Sequence, residues 1–455
     1  MWFSRLELRV QRVCDDFPST KRGDSTSRSF SRDAGYRSTP RASFEGWKKV
    51  KVRGIPHLAK TTEMCYPHAL WKENRRTMET LQIGNEWHTE HAGGLNSYYF
   101  ELLRHLGPTG TGVHGLVAGS HNVRTATDGQ VIGFAVPDAQ LARRMLSLRR
   151  LALHQMAARK IDLIASHFAL YTMPILDRLK RVPMVVHFHG PWAAEGNAEG
   201  ARSYKSRLKA SLERSVYSRA KRLIVLSEAF KAELITGYGI AEHRIRIVPG
   251  GIDVDRFNTS ISRIEARQRL GWPTNRPIIL TVRRQVRRMG LETLIDAARQ
   301  LAVNCPDVLV LLGGTGPIAD ELQKRIMELG LENNVRRLGR VEDADLPLAY
   351  RAADMTVVPS QSLEGFGLIT LESLASGTPV YVTPIGGLPE IVEPFAPECI
   401  FDNTSAEEIA NVLRQALRGE RPTPSDEACR AFASQNFSWP QIAQRVRTVY
   451  DQAFS

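Results

Sequence analysis

Between residues 80 and 383 the chain falls repeatedly into short, unbroken apolar runs separated by longer amphipathic stretches. T-L-Q-I-G (80–84), D-L-I-A-S-H-F (162–168), P-M-V-V-H-F-H (183–189), L-I-V-L-S (223–227) and R-I-V-P (246–249) form one set. I-I-L-T-V (278–282), V-L-V-L-L (308–312), M-T-V-V-P-S (355–360) and P-V-Y-V-T (379–383) form a second. A strand with one wet face alternates apolar and polar residues. An unbroken run has both faces covered, as in a parallel sheet between helix layers. Parallel neighbours need a crossover, and the stretches between runs are long enough for helices. The pattern predicts a doubly wound α/β protein. It also predicts two such units, because P-G-G-I-D-V-D-R-F (249–257) is a turn cluster and W-P-T-N-R-P (272–277) precedes a fresh set of strands. The expected division is 78–252, 253–434 and a closing segment over 435–455.

Length agrees, since 455 residues allow two or three domains. The net charge of +13 taken alone suggests a nucleic-acid or acidic-membrane partner. Its distribution narrows that inference. Residues 1–77 hold 17 basic and 8 acidic side chains, so most of the excess lies in one sixth of the chain. This extension is rich in Ser and Arg, lacks apolar periodicity and reads as disordered. Asp15, Asp16, Asp24 and Asp33 argue against a transit peptide, and the missing apolar h-region argues against a secretory signal. Met78 stands just before the first apolar run, so a start of translation there is expected slightly ahead of the alternative, a functional extension over 1–77. No basic patch is interleaved with aromatic residues, so no nucleic-acid partner is expected. Cys14, Cys65, Cys305, Cys399 and Cys429 form no C-x-x-C pair, which suggests reduced thiols in a cytoplasmic protein and no zinc site. No apolar run is long enough to span a membrane.

Ligands of doubly wound proteins bind at the carboxyl ends of the strands, so the segments after each run carry the chemistry. After the first run, Gly93 and Gly94 precede a helix expected from about Ser97, where backbone amides can approach an anion. After 308–312 comes G-G-T-G-P (313–317). Gly314, Gly316 and Ala319 fit a dinucleotide fingerprint, but the acidic ribose partner is missing at its place. A phosphate-facing turn beginning at Gly313 is the better reading. The richest segment is S-L-E-G-F-G-L-I-T-L-E-S-L-A-S-G-T-P-V (362–380). Glu364 lies in a glycine-containing loop, Gly365 and Gly367 expose backbone amides just before a helix starting near Leu368, and Glu372 follows one turn into it. Carboxylates so placed can both accept hydrogen bonds from one polyhydroxylated ligand while the helix N-terminus holds its phosphates.

E-G-F-G-L-I-T-L-E resembles the Glu-x7-Glu signature of retaining GT-B-fold glycosyltransferases, group 1 or family 4. A-G-G-L-N (92–96), H-F-H-G (187–190), P-G-G-I-D-V-D-R-F, L-G-R-V (338–341), A-S-G-T-P-V (375–380) and G-G-L-P-E-I-V (386–392) agree in order. The resemblance implies two Rossmann-like domains, an acceptor-side one over 78–252 and a nucleotide-sugar-binding one over 253–434. F-S-W-P-Q-I-A-Q-R-V (437–446) would belong to a helix over 435–455 crossing back to the first. It implies that Glu364 contacts the transferred sugar, Glu372 the ribose, Phe366, Gly367 and Leu368 the sugar and diphosphate, and Gly93 and Gly94 the diphosphate from the other domain, with Gly313 in a donor-binding turn. His189 matches a histidine beside the sugar, able to bind a hydroxyl or the leaving phosphate. Arg284 fits an arginine that neutralises the diphosphate, but Met289 stands where a lysine is expected, so Arg288 or Arg287 would supply the second charge.

The implied reaction is metal-independent transfer, with retention, from a nucleotide-diphosphate sugar to a carbohydrate or lipid-linked acceptor in cell-surface polysaccharide synthesis. No cofactor is expected. The D-x-D pattern of metal-dependent transferases occurs at Asp253–Asp255 and Asp343–Asp345. The first lies in the interdomain turn and the second at a helix start with capping potential, so no metal is assigned. Two basic amphipathic stretches, 143–160 and 202–222, are expected either as solvated helix faces or as contacts to an anionic inner membrane surface. The alternatives are a nucleotide-sugar epimerase or a phosphorylase of the same fold, or a non-catalytic basic binding protein.

Overall fold

The computed structural model describes residues 77–91, 93–192 and 204–454. The disorder and start-site expectations for the N-terminal extension therefore lie outside the described residues, as do Ala92 and the beginning of the 202–222 stretch.

The apolar runs become two sheets whose pairings are all parallel. The first contains β1 (Met78–Glu86), β2 (Thr111–Ala118), β3 (Val131–Ala135), β4 (Leu163–Ser166), β5 (Met184–His187), β6 (Arg222–Val225) and β7 (Ile245–Ile247), in the order β3-β2-β1-β4-β5-β6-β7. The second contains β8 (Ile278–Val282), β9 (Leu309–Gly313), β10 (Val335–Gly339), β11 (Met355–Val358) and β12 (Val380–Val382), in the order β10-β9-β8-β11-β12. Strand order therefore reverses at the β1/β4 and β8/β11 junctions. These are the switch points where crossover loops diverge and leave a crevice.

Strands β2, β3 and β10 were not among the expected runs. β2 reads T-G-V-H-G-L-V-A and β3 reads V-I-G-F-A, so glycine and histidine interrupt the apolar signal. β10 is an edge strand, V-R-R-L-G, with Arg336 exposed. An edge strand needs only one neighbour and tolerates charge. The expected strand 183–189 ends at His187, so His189 lies in the following loop. The helix expected from Ser97 starts earlier and spans Gly94–Leu106.

One core fills the second unit on both faces of its sheet, from Ile278 and Leu309 out to Ile409 and Leu413. The first sheet has two cores. One face packs Leu81, Ile164, Val186 and Phe188 against helix-borne Leu148, Val216 and Leu234. The other packs Val113, Leu163, Val185 and Ile224 under Trp439, Ile442, Val446 and Tyr450 of the last helix, Trp439–Asp451. That helix thus completes the burial of a sheet far earlier in sequence. Several helices start at serine: Ser227, Ser262, Ser405 and Ser425 each accept an N–H of the first turn, a cap worth about 1 kcal/mol.

Candidate functional site

The switch points assemble the site. Arg283 follows β8, and Ser360 and Glu364 follow β11, so neighbouring strands deliver them to one place. Arg283 is nearly fully buried at 4% side-chain exposure. Its guanidinium donates to the Glu364 carboxylate and to Ser360 Oγ (2.7 Å). Ser360 Oγ donates in turn to the same oxygen, Oε2 of Glu364 (2.9 Å). Oε1 of Glu364 has no hydrogen-bond partner among the described residues. Glu372 behaves alike: its Oε2 accepts the Tyr350 hydroxyl (2.8 Å) and its Oε1 has no partner among the described residues. Burial raises the Glu372 carboxyl above the ordinary carboxylate range, with the Tyr350 hydrogen bond opposing it. Each carboxylate is fixed through one oxygen and offers the other.

Between them lies the N-terminus of the helix Leu368–Ala375, capped by Gly367 at φ +80°. The loop before it is held from three directions. Leu363 adopts φ +51°, which a leucine rarely takes, and its carbonyl accepts Arg288 Nη1 (3.0 Å). Gly386 approaches so closely that a Cβ there would lie 1.7 Å from the Glu364 carbonyl oxygen. From the first unit, the N–H groups of Glu228 and Ala229 bind the Glu390 carboxylate (2.7 and 3.0 Å), which docks that turn against the helix Glu228–Tyr238.

At the switch point of the first sheet, β1, β4 and β5 bring together Gln82, His167, His187 and His189. The rings of His167 and His187 stack at 4.1 Å, and His189 lies 5.7 Å from His167 at 20°. Tyr98 meets His189 edge-on at 4.8 Å. Tyr450 of the last helix reaches His187 Nε2 (2.8 Å). Burial pushes all three imidazoles down, His189 to about 3 and the other two well below 6.5. They are neutral at physiological pH.

Against the expectations, Glu364, Phe366, Gly367, Leu368 and Glu372 share one loop and helix start, although the Phe366 side chain is in the core. The arginine that meets Glu364 is Arg283, and Arg284, expected to face the diphosphate, is exposed beside it. Of the two candidates for the missing lysine, Arg287 pairs with Glu292 and Glu321 at the surface, and Arg288 turns to the Glu364 loop. The turn after Gly313 has an internal role. A Cβ on Gly314 (φ +108°) would lie 1.9 Å from the Arg283 carbonyl oxygen, so this glycine lets the two loops pack. At Gly93 and Gly94 neither the dihedrals nor the neighbours demand glycine, and both are exposed at a helix start. Asp253 caps its helix through Arg256 N (3.1 Å), but Asp345, expected to cap, makes no side-chain cap bond. Among the described residues, no three His, Cys, Asp or Glu side chains are grouped to hold a metal ion. Sequence reasoning missed Arg283, Ser360, Leu363 and the partners of His189. Only the Arg283–Arg284 doublet carried a signal.

Two doubly wound units meeting across a cleft define the GT-B architecture of glycosyltransferases. Solved structures share it. Sucrose-phosphate synthase from Thermosynechococcus elongatus superposes with a TM-score of 0.69 at 23% identity, covering 83% of this chain and 99% of that one. Anabaena Alr3699/HepE, solved with UDP and glucose, gives 0.66 at 23%, covering 82% and 99%. The family model "Glycosyltransferase Family 4" matches residues 92–256 and "Glycosyl transferases group 1" matches 262–436. A D-inositol 3-phosphate glycosyltransferase of Corynebacterium jeikeium is 33% identical over 305 residues, 64% of this chain and 72% of the relative. A Mycolicibacterium smegmatis enzyme of the same name is 34% identical over 254 residues, 54% of this chain and just over half, 56%, of that relative. The chain belongs to the group 1 glycosyltransferases. It is an enzyme of the glycosyl-transferring class.

Proposed function

We propose that the enzyme moves a sugar from a nucleotide-diphosphate sugar to a carbohydrate or lipid-linked acceptor, with retention at the anomeric carbon, in cell-surface polysaccharide synthesis. The observation that carries this reading is the pair of half-engaged carboxylates, Glu364 and Glu372, bracketing one helix N-terminus. Oε1 of Glu372 accepts ribose hydroxyls and Oε1 of Glu364 accepts hydroxyls of the sugar. The diphosphate lies between them on the amides of Phe366, Gly367 and Leu368, where the helix field favours negative charge. Arg283 and Arg288 hold the Glu364 loop beside that position, and the family resemblance assigns Arg284, Gly93 and Gly94 to the diphosphate. Leaving-group charge is then stabilised by groups already in place. No metal is assigned a step. The nucleotide of the UDP-bound Anabaena protein supports the donor class, and the D-inositol 3-phosphate enzymes support a polyhydroxylated acceptor. The test is the anomeric configuration of the product with UDP-, GDP- and ADP-glucose as donors.

A cytoplasmic enzyme acting on lipid-linked sugars works at the inner face of the membrane. No described helix is long and apolar enough to cross one. On the helix Leu141–Ala158, Arg144 bonds the Tyr171 hydroxyl (2.7 Å) and Arg149 bonds Asp177 (2.7 Å), so part of the basic stretch is committed internally. Arg143, Leu146 and Arg150 share an exposed face, with Leu146 70% exposed. This face supports a peripheral seat on anionic lipid. In vesicle flotation, binding to phosphatidylglycerol vesicles should fall on Leu146→Glu; equal recovery with neutral vesicles contradicts it.

A further inference from the structure

The hydrogen bonds behind His189 have a fixed direction. It begins at Thr80, whose hydroxyl lies 2.8 Å from the Gly112 carbonyl, a group that can only accept. With its one proton committed there, Thr80 Oγ1 must accept from Gln82, 2.9 Å away, so the amide nitrogen of Gln82 faces Thr80. The amide oxygen of Gln82 then faces His167 Nε2 at 3.1 Å. An amide oxygen only accepts, so His167 Nε2 carries a proton. A neutral imidazole carries one proton, which makes His167 Nδ1 the acceptor. Its partner at 3.4 Å is His189 Nε2, which must donate. The second nitrogen of His189, Nδ1, therefore holds a lone pair, and it has no hydrogen-bond partner among the described residues. The His167–His187 stack and the edge of Tyr98 keep the rings in place.

We propose that Thr80, Gln82 and His167 are positioning residues that fix His189 as its Nε2–H tautomer, so that the site presents an acceptor nitrogen to its ligand. An acceptor nitrogen pairs with a sugar hydroxyl and repels a phosphate oxygen, which has no proton to give. Of the two partners open to a histidine here, hydroxyl and leaving phosphate, the relay selects the hydroxyl. This choice of partner rests on the nucleotide-sugar reading above; the tautomer itself does not. Desolvation supports the relay by keeping the rings neutral, since a doubly protonated ring would donate from both nitrogens.

The experiment needs no donor or acceptor. The full chain, labelled with 15N-histidine, is examined by long-range 1H–15N correlation at pH 7.5, with the His189 signals assigned by their loss in His189→Gln. A single Nε2–H tautomer pattern at His189 is expected. An Nδ1–H pattern, an averaged pattern or an imidazolium overturns the proposal. Gln82→Leu, which removes the acceptor that orients His167, should give mixed tautomers at His189; a pure pattern retained in the folded variant also overturns it. Should Gln82→Leu fail to fold, the wild-type spectrum decides. A correct tautomer in a protein that binds no nucleotide sugar would remove the donor reading and leave the relay standing.

Discussion

Lowering the pH from 7.5 to 5 is expected to destabilise the fold through His167, His187 and His189, by about 2 kcal/mol for His189 alone. All three are held below 6.5 by burial, His189 to about 3. The unfolded chain binds protons on these rings near 6.5 and the folded chain does not. Their contribution is therefore fully present above 6.5 and lost as the pH falls below it. Glu372 acts in the opposite sense. Its carboxyl is raised above 4.5, so its burial weighs against the fold at neutral pH and is relieved by acid. One carboxyl does not offset three imidazoles in this window. Even a loss of about 2 kcal/mol is a large fraction of the stability of a typical domain. Urea midpoints measured across this pH range should fall steeply. A flat profile would show that the rings are already charged or solvated in the fold.

Arg283→Ala and Glu372→Ala should separate two roles. Removing Arg283 takes away a nearly buried partner of Glu364 and also a donor to Ser360. Breaking a buried ion pair from one side costs about 3–5 kcal/mol, and losing one preorganised donor costs about 100-fold or more in turnover. Arg283→Lys cannot reproduce both bonds and should recover little. Glu372→Ala should keep the fold and weaken nucleotide binding instead, because its carboxylate bonds only Tyr350 among the described residues. Titration calorimetry and donor consumption with UDP-, GDP- and ADP-glucose read the two effects. Equal affinities in wild type and Glu372→Ala, or undiminished turnover in Arg283→Ala, would contradict these roles.

Much of the candidate site was legible because the carboxylates and amides proposed to hold the donor lie in one short segment. Glu364 and Glu372 lie eight apart across a glycine loop and helix start, and such a pattern survives without coordinates. The fold was legible where strands are buried on both faces, as in β8, β9 and β11. It was not legible at β10, where an edge strand carries Arg336 and Arg337. Other features were hidden for equally local causes. Arg283 and Arg284 are adjacent at the end of a strand, where successive side chains take opposite faces, and the sequence does not say which faces inward. Leu363 holds a left-handed backbone that a leucine does not advertise. The Gln82–His167–His189 relay and Tyr450 come from elements up to 368 residues apart in sequence, so no local motif could reveal them.

The proposed retaining transfer at the Glu364–Glu372 helix start fixes the configuration of the first product. Its most direct measurement is 1H NMR of the first sugar product formed from an α-linked nucleoside-diphosphate glucose, taken before mutarotation or over-reaction. The arrangement predicts that the transferred or released glucose appears first as the α anomer. Initial appearance of the β anomer, or no consumption of any of the three donors by the wild-type chain, would contradict it.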